Sequence, residues 1–189
     1  MKNRGFTLIE MLVVIAIISI LIGIGINTFT IAQKKARDAQ RQAALADLKK
    51  ALEAYYIDHG SYPPMPPGPL VWATSAPDEA STNGNHNGGD WIPGLVAGGY
   101  ISKLPKDPSG GVGIASLTAN CVNWKKAYMY MTKDPQSYAV LSHCNIENPA
   151  SLTTNSPFYD PRRDSGGEKW SWRICANQGC TGEVDGKGY

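Results

Sequence analysis

The chain has 189 residues, of which 42% are hydrophobic and 18% are charged. It carries 18 lysines and arginines against 16 acidic residues, which gives a formal net charge of +2. This balance excludes a strongly basic nucleic-acid binder and an acidic disordered chain, and the length allows one domain with an extension. The apolar residues, however, are concentrated at one end.

The N-terminal segment is almost entirely aliphatic. No charged residue occurs from Met11 to Gln33. As a helix, the stretch from Phe6 to Ile26 would be about 30 Å long, which matches the hydrocarbon core of a bilayer. The sequence therefore predicts a membrane-spanning segment near the N-terminus.

Three interpretations of this segment compete. A cleaved secretory signal has an apolar core of about 7 to 15 residues that ends in a small-x-small site, but this run is longer and lacks that exit. A plain single-pass anchor explains the length but gives Glu10 no role. In the third interpretation, Glu10 and the preceding Gly5 have functional roles, and the apolar segment serves them.

Glu10 is costly in an apolar span unless it reaches the headgroups or finds a positive partner. Cleavage after Gly5 would create a partner, because the α-amino group of Phe6 is mostly protonated near neutral pH. The amine of one subunit could then pair with Glu10 of another inside an apolar core. A monomer would carry an unsatisfied charge that polymerisation relieves.

These residues carry a family resemblance. The sequence Lys2-Asn3-Arg4-Gly5-Phe6-Thr7-Leu8-Ile9-Glu10, followed by MLVVIAIISIL, resembles the leader and N-terminal helix of type IV pilins and type II secretion pseudopilins. The resemblance implies cleavage between Gly5 and Phe6 by a prepilin peptidase, N-methylation of Phe6, and Glu10 as the assembly carboxylate.

The resemblance also implies partners and a location. The chain would cross the cytoplasmic (inner) membrane once, in contact with membrane lipid and with its head outside. An inner-membrane assembly platform would polymerise it with identical or related pilin subunits into a periplasmic or extracellular filament.

The basic residues near the span conflict with this orientation. By count, the positive-inside rule would place the large domain in the cytoplasm, because two lie before the span and four after it. They are Lys2 and Arg4 before it, and Lys34, Lys35, Arg37 and Arg41 after it. The family orientation, with the head outside, is preferred.

The chain is predicted to have an α+β fold, the pilin fold, with a long helix packed on a small antiparallel sheet. Its parts are a leader (1–5), a transmembrane assembly helix (6–30), an amphipathic half of the same helix (31–60) and a head (61–189). Leu45, Leu48 and Leu52 form an apolar stripe, whereas the Ala-rich, charged residues before them are expected to be exposed. Gly60 ends the helix.

The head begins with a long αβ loop (61–111), which is expected to hold one short helix from Asp90 to Gly98-Gly99. A hairpin and C-terminal sheet follow (112–189). The predicted strands are 126–131, 137–142 and 169–175, and their alternating aromatic side chains indicate a half-buried sheet. The phrases ALEAYYIDHGSYP and GYISKLPKDP, which contribute to the helix end and the loop, resemble the major pseudopilin.

The four cysteines, Cys121, Cys144, Cys175 and Cys180, all follow the span. No CxxC pair occurs, so zinc is not expected, and an oxidising compartment favours disulfides. Of the three possible pairings, the nearest-neighbour one, Cys121 with Cys144 and Cys175 with Cys180, is the most economical.

No sequence feature indicates catalysis or a cofactor, because the histidines are scattered and no nucleophile or phosphate-binding motif occurs. The carboxylates of the tail lack a ligand spacing, so no metal is expected, although calcium remains open. These are Asp160, Asp164, Glu168, Glu183 and Asp185. Two basic doublets, 125–126 and 162–163, are too few for nucleic-acid binding to be expected.

The leading hypothesis is therefore a structural filament subunit and not an enzyme. The filament would be a type II secretion pseudopilus or a type IV pilus, with a DNA-uptake pilus as a further option. The alternatives are a membrane-tethered binding domain that does not polymerise and, last, a tethered enzyme.

Overall fold

The expected α+β fold is confirmed by a computed structural model that describes most of the chain. The described residues are 5–65, 73–75, 85–86, 90–110, 127–132, 134–160, 171–177 and 180. The chain divides into two compact units, one ending at Ala36 and the other beginning at Arg37.

One long helix precedes the strands. The elements in the described ranges are α1 (Leu8–His59), β1 (Ala73–Thr74), β2 (Asn85–His86), β3 (Ala127–Met131), β4 (Tyr138–His143), a 3-10 helix (Pro149–Ser151) and β5 (Ser171–Ala176). With 52 residues, α1 is about 78 Å long and runs without a break, as predicted.

The end of α1 is set by Gly60. This residue has φ of 69°, a left-handed conformation that costs little without a Cβ atom. Its backbone N–H donates to the carbonyl of Tyr56 at 2.8 Å, which satisfies one of the last carbonyls of the helix. The predicted stop is therefore confirmed.

The sheet has the order β2-β1-β3-β4-β5. The predicted hairpin is confirmed as the antiparallel pair β3–β4, in which Met129 faces Leu141. The predicted third strand is β5, antiparallel to β4, and β1 pairs antiparallel with β3. The two-residue strands β1 and β2 pair in parallel.

The core of the second unit joins the stripe of α1 to one face of the sheet. Leu45, Leu48 and Leu52 are fully buried, as their spacing predicted. They share a cluster with side chains of the loop and the sheet, among them Trp91, Ile92, Leu95, Tyr128, Tyr130, Tyr138, Val140, Trp172 and Ile174. The aromatic side chains of the strands are thus core.

The prediction of a half-buried sheet was wrong. The side chains on the other face of β3 and β4, including Met129, Met131 and Leu141, are also buried and form a second cluster. The alternating aromatic residues correctly predicted one buried face of the sheet. The methionines between them are apolar as well, which is typical of strands covered on both sides.

The loop 61–111 differs from its prediction in two respects. The expected helix after Asp90 is a run of turns, because Gly94 has φ of 86° and so interrupts helical geometry near its start. One helix-like bond remains, from the N–H of Gly98 to the carbonyl of Gly94 at 2.9 Å. In addition, β1 and β2 lie in this loop and were not predicted.

Candidate assembly site

The N-terminus of α1 is closed by Thr7 and Glu10. The Thr7 backbone N–H and hydroxyl donate to the same Glu10 oxygen, Oε2, at 2.8 and 2.6 Å. In return, the Glu10 N–H donates to the Thr7 hydroxyl at 3.3 Å. This reciprocal pair is a capping box, which satisfies donors that the first turn of a helix leaves without partners.

The capping box changes the expected state of Glu10. The sequence predicts an unsatisfied carboxylate in the monomer, whereas Thr7 supplies it with two hydrogen bonds. The signal was in the sequence, because Thr7-Leu8-Ile9-Glu10 has the Thr-x-x-Glu spacing that typifies a helix start. Thr7 offers hydrogen bonds but no positive charge, so Glu10 still lacks a counterion within the described residues.

The residues before the helix are accessible. Gly5 and Phe6 lie outside α1 and are exposed, and Phe6 has 77% of its surface accessible. Apart from Gly5 and its chain neighbours, no described residue has a heavy atom within 4 Å of a Cβ position built on Gly5. Both residues of the predicted cleavage site are thus exposed, whereas residues 1–4 of the leader lie outside the described residues.

The first half of α1 buries none of its most apolar stretch. Where the structure describes them, its large apolar side chains from Leu8 to Ile31 are exposed. Ser19 turns its hydroxyl back to the carbonyl of Ile15 at 2.7 Å, so this polar group needs no outside partner. By length and composition, this half of the helix can cross a membrane.

A buried ionic cluster marks the start of the second unit. Arg41 is 0% exposed and binds Asp107 through two hydrogen bonds, from Nε at 2.9 Å and from Nη2 at 3.0 Å. It also binds Asp38 at 2.8 Å and Glu147 at 2.9 Å. Arg37 contacts the same Glu147, so two guanidinium groups face three carboxylates.

Neighbouring polar groups complete this cluster. The backbone N–H groups of Glu147 and Asn148 donate to Asp38. Ser109 and Asn145 donate to Asp107, and the Asn145 bond measures 2.9 Å. Every contact with these two carboxylates is a donated hydrogen bond, which suits their ionised forms. The cluster thus ties α1 to the loop and to the segment after β4.

The cluster separates the pKa values of its two aspartates. Burial raises the pKa of Asp38 above its usual range, although hydrogen bonds from Glu147 and Asn148 oppose this. Burial also pushes the pKa of Asp107 upward, but hydrogen bonds from Arg41 and Ser109 outweigh it, and the pKa lies below its usual range. The two-pronged contact with Arg41 accounts for the difference.

The burial of Asp38 and Arg41 corrects the expectation that the charged residues before Leu45 are exposed. Position 41 lies four residues before Leu45 and position 38 lies seven before it, so both continue the apolar stripe. Their helical spacing from Leu45 was the sequence signal that could have predicted their burial. The partners that make burial possible, Asp107 and Glu147, are distant in sequence and follow no local pattern.

The cysteines are found in disulfides where the structure describes them. Cys175 and Cys180 are bonded to each other, as predicted. Cys144 is disulfide-bonded as well, and its predicted partner Cys121 lies outside the described residues.

Of the tail carboxylates considered for calcium, the structure describes Asp160. It is buried, and it accepts hydrogen bonds from Arg173 at 3.3 Å and Ser171 at 3.4 Å. The other four lie outside the described residues, as do both basic doublets. Among the described residues, no group of three or more His, Cys, Asp or Glu side chains is arranged so that it could hold a metal ion.

Comparison with known proteins decides the family. Residues 1–26 match the family model described as the prokaryotic N-terminal methylation motif. The chain is 33% identical over 109 residues to the type II secretion system core protein G of Klebsiella pneumoniae, covering 58% of this chain and 71% of that protein. It belongs to the type IV pilin and type II secretion pseudopilin superfamily.

Other relatives of this pilin-family chain agree. The core protein G of Escherichia coli K12 is 34% identical over 111 residues, covering 58% of this chain and 68% of that protein. The type IV wide pilus major component PilA4 of Thermus thermophilus is 49% identical over 63 residues, covering 33% of this chain and 48% of that protein. No solved structure matches the chain.

Membership in this superfamily indicates the kind of function that the chain has. The chain is a structural subunit of a polymerising filament and not an enzyme. Its exposed apolar helix and prepilin motif indicate a membrane-anchored protein of the pilin type.

Proposed function

We propose that this chain is a type II secretion pseudopilin. It is cleaved between Gly5 and Phe6 by a prepilin peptidase, methylated on the Phe6 amine, and stored in the inner membrane through the first half of α1. An inner-membrane assembly platform then polymerises it with copies of itself or related subunits. The exposed apolar first half of α1, with Glu10 in its first turn, carries this proposal.

The apolar surface needs a cover. In the membrane, lipid covers it, and in a filament the same half-helices of neighbouring subunits replace the lipid. Van der Waals packing is available in both places, so apolarity alone favours neither strongly. A charge that lipid cannot satisfy gives the filament its advantage.

Glu10 supplies that charge. In the single subunit it accepts hydrogen bonds from Thr7 but has no cation within the described residues. The Phe6 amine of a neighbour would add the missing positive charge, and an ion pair in an apolar core is far stronger than one in water. Polymerisation would keep or exchange the Thr7 bonds while gaining this pair.

The orientation with the head outside is part of the proposal. Arg37 and Arg41 are held in ion pairs within the second unit, whereas Lys34 and Lys35 make no ion pair with a described residue. The count of two basic residues before the span and four after it opposes this orientation, so the proposal does not rest on that count. The disulfides favour an oxidising compartment.

A type IV pilus is the second candidate. The identity to PilA4 is higher than to the core G proteins, but it covers only 63 residues. The core G matches extend over 109 residues or more and reach beyond the assembly helix, which favours the secretion pseudopilus. No cofactor is proposed, and calcium in the tail stays an open prediction.

Processing and assembly can be tested in one set of strains that carry the full chain. The mature wild-type protein is expected to begin at Phe6 with one added methyl group by intact mass spectrometry. An intact Met1 would contradict the proposed processing.

Glu10→Ala is expected to remain processed and membrane-bound but to form no filaments, because the inter-subunit pair is lost. Thr7→Val is the matched control, since it removes the capping hydroxyl and leaves the carboxylate. It is expected to keep filament assembly in shear-fraction and cross-linking assays. Normal filaments from Glu10→Ala, or equal loss in both variants, would contradict the pairing mechanism.

A further inference from the structure

A second polar network lies at the other end of α1, far in sequence from the assembly site. Its centre is Gln136, in the turn between β3 and β4. The Gln136 side chain donates from Nε2 to the carbonyl of Gly60 at 2.9 Å and accepts a hydrogen bond from the Tyr56 hydroxyl. The turn is thus bound to the last turn of the helix.

A backbone bond strengthens this junction. The N–H of Tyr62 donates to the carbonyl of Pro135 at 2.8 Å. Within the turn, the N–H of Gln136 donates to Asp134 at 2.8 Å, which fixes the position of the glutamine. The helix end and the β3–β4 turn are therefore joined by three hydrogen bonds, two through the Gln136 side chain and one through the backbone.

The third member of the network comes from the disulfide loop. The Asn177 side-chain amide donates to the backbone carbonyl of Gln136. Asn177 lies between Cys175 and Cys180, which are bonded to each other with a sequence separation of five. It has φ of 51°, and the N–H of Cys180 donates to its carbonyl at 3.0 Å.

The covalent bond explains why Asn177 can hold this position. Asparagine tolerates a left-handed backbone better than most residues but less freely than glycine, and a single exposed hydrogen bond contributes only about 1 kcal/mol. Without the disulfide, ordering this segment would cost more free energy in lost conformational entropy than the single hydrogen bond contributes. Closing the loop removes much of that entropy in advance.

We propose that the Cys175–Cys180 disulfide is a brace for the C-terminal end of α1, acting through Asn177 and Gln136. The disulfide positions Asn177, Asn177 holds the Gln136 backbone, and the Gln136 side chain holds Gly60 and Tyr56. Asn177 and Gln136 are positioning residues. The brace is independent of Glu10 and of the kind of filament that the chain forms.

Amide hydrogen exchange on the full chain in detergent micelles tests the brace residue by residue. Asn177→Asp keeps the size of the side chain and its tolerance of a left-handed backbone but removes the donated bond. Exchange at Gly60, Tyr62 and Gln136 is expected to accelerate about three- to tenfold, the effect of losing one hydrogen bond. Exchange at Val140, in the centre of the sheet, is expected to stay unchanged.

Two further variants separate a brace from general stabilisation. The matched control is Asn155→Asp, which makes the same change at an exposed position and is expected to have no effect at these amides. The double variant Cys175→Ser/Cys180→Ser is expected to reproduce the Asn177→Asp pattern, and combining all three changes should add nothing. A reducing agent would not isolate this bond, because Cys144 is disulfide-bonded too.

Clear outcomes would overturn the proposal. Unchanged exchange at Gly60 and Tyr62 in Asn177→Asp would do so, as would equal acceleration at Val140. If the double serine variant fails to fold, Gln136→Glu replaces it, since it loses the Nε2 donor to Gly60 and keeps the disulfide. Wild-type exchange at Gly60 in that variant would also refute the brace.

Discussion

The two halves of α1 share one backbone geometry but differ in which side chains they expose and which they bury. From Leu8 to Ala36 the helix exposes large apolar side chains, and Ser19 bonds back to the helix backbone. From Arg37 to His59 it buries leucines on one face and a guanidinium group among three carboxylates. An apolar side chain is thus exposed in the first half, whereas a charged one is buried in the second.

This contrast shows that burial in this protein follows available partners more than residue type. Arg41 can be buried because the loop and the segment after β4 bring carboxylates to it. Ile18 is exposed because no described residue of the chain covers it. The first half is made for partners outside the chain, and the second half already has its partners.

The largest expected effect comes from Arg41. Arg41→Met is expected to destabilise the head by about 3 to 5 kcal/mol, because three carboxylates would lose a buried partner. Chemical unfolding followed by tryptophan fluorescence measures this, since all five tryptophans follow the helix.

The matched control for Arg41 is Lys50→Met on the same helix. Lys50 forms an exposed pair with Asp47 at 3.2 Å, and such a pair contributes at most about 1 kcal/mol. A similar loss of unfolding free energy in both variants would mean that the buried cluster stabilises the head no more than an exposed ion pair does.

The next effect compares apolar residues in the two halves. Leu48→Ala is expected to destabilise the head by about 2 to 5 kcal/mol, because it leaves a cavity in a packed core. Ile18→Ala shortens an exposed apolar side chain and should leave the free energy of unfolding of the head unchanged. The same fluorescence assay in detergent applies, and an equal shift for both would break the distinction between the halves.

The smallest effect is a difference in pH dependence between the two aspartates. The pKa of Asp107 lies below its usual 3.8, so its stabilising contribution is complete above that value and is lost as the pH falls through the lowered pKa. The pKa of Asp38 lies above 3.8, so its ionised form costs stability, and that cost falls as the pH drops through the raised pKa.

The substitutions should therefore act in opposite directions. Asp107→Asn is expected to flatten the acid loss of head stability below about pH 4, whereas Asp38→Asn should steepen the loss above about pH 4. Unfolding midpoints measured from pH 7 to pH 3 check both signs. Parallel curves for the two variants would show that the cluster titrates as one uniform group.

Much of the head was predictable where the pattern is local. The stripe of Leu45, Leu48 and Leu52 follows from helical spacing, and the β3–β4 hairpin follows from two apolar runs around a turn. The short helix after Asp90 was predicted wrongly, because Gly94 adopts a left-handed conformation. The strands β1 and β2 are only two residues long, which is too short for a periodic signal.

The sequence by itself determined the apolar span, the position of Glu10 near its start and the continuous α1, because charge, apolarity and helix stops are properties of neighbouring residues. The Thr7–Glu10 capping box was also readable, since its spacing is local. Tertiary structure alone decided that Arg41 is buried with Asp107 and Glu147, and that Asn177 reaches Gln136. Those contacts join residues far apart in the chain, and only the folded backbone brings their charges and hydrogen-bonding groups together.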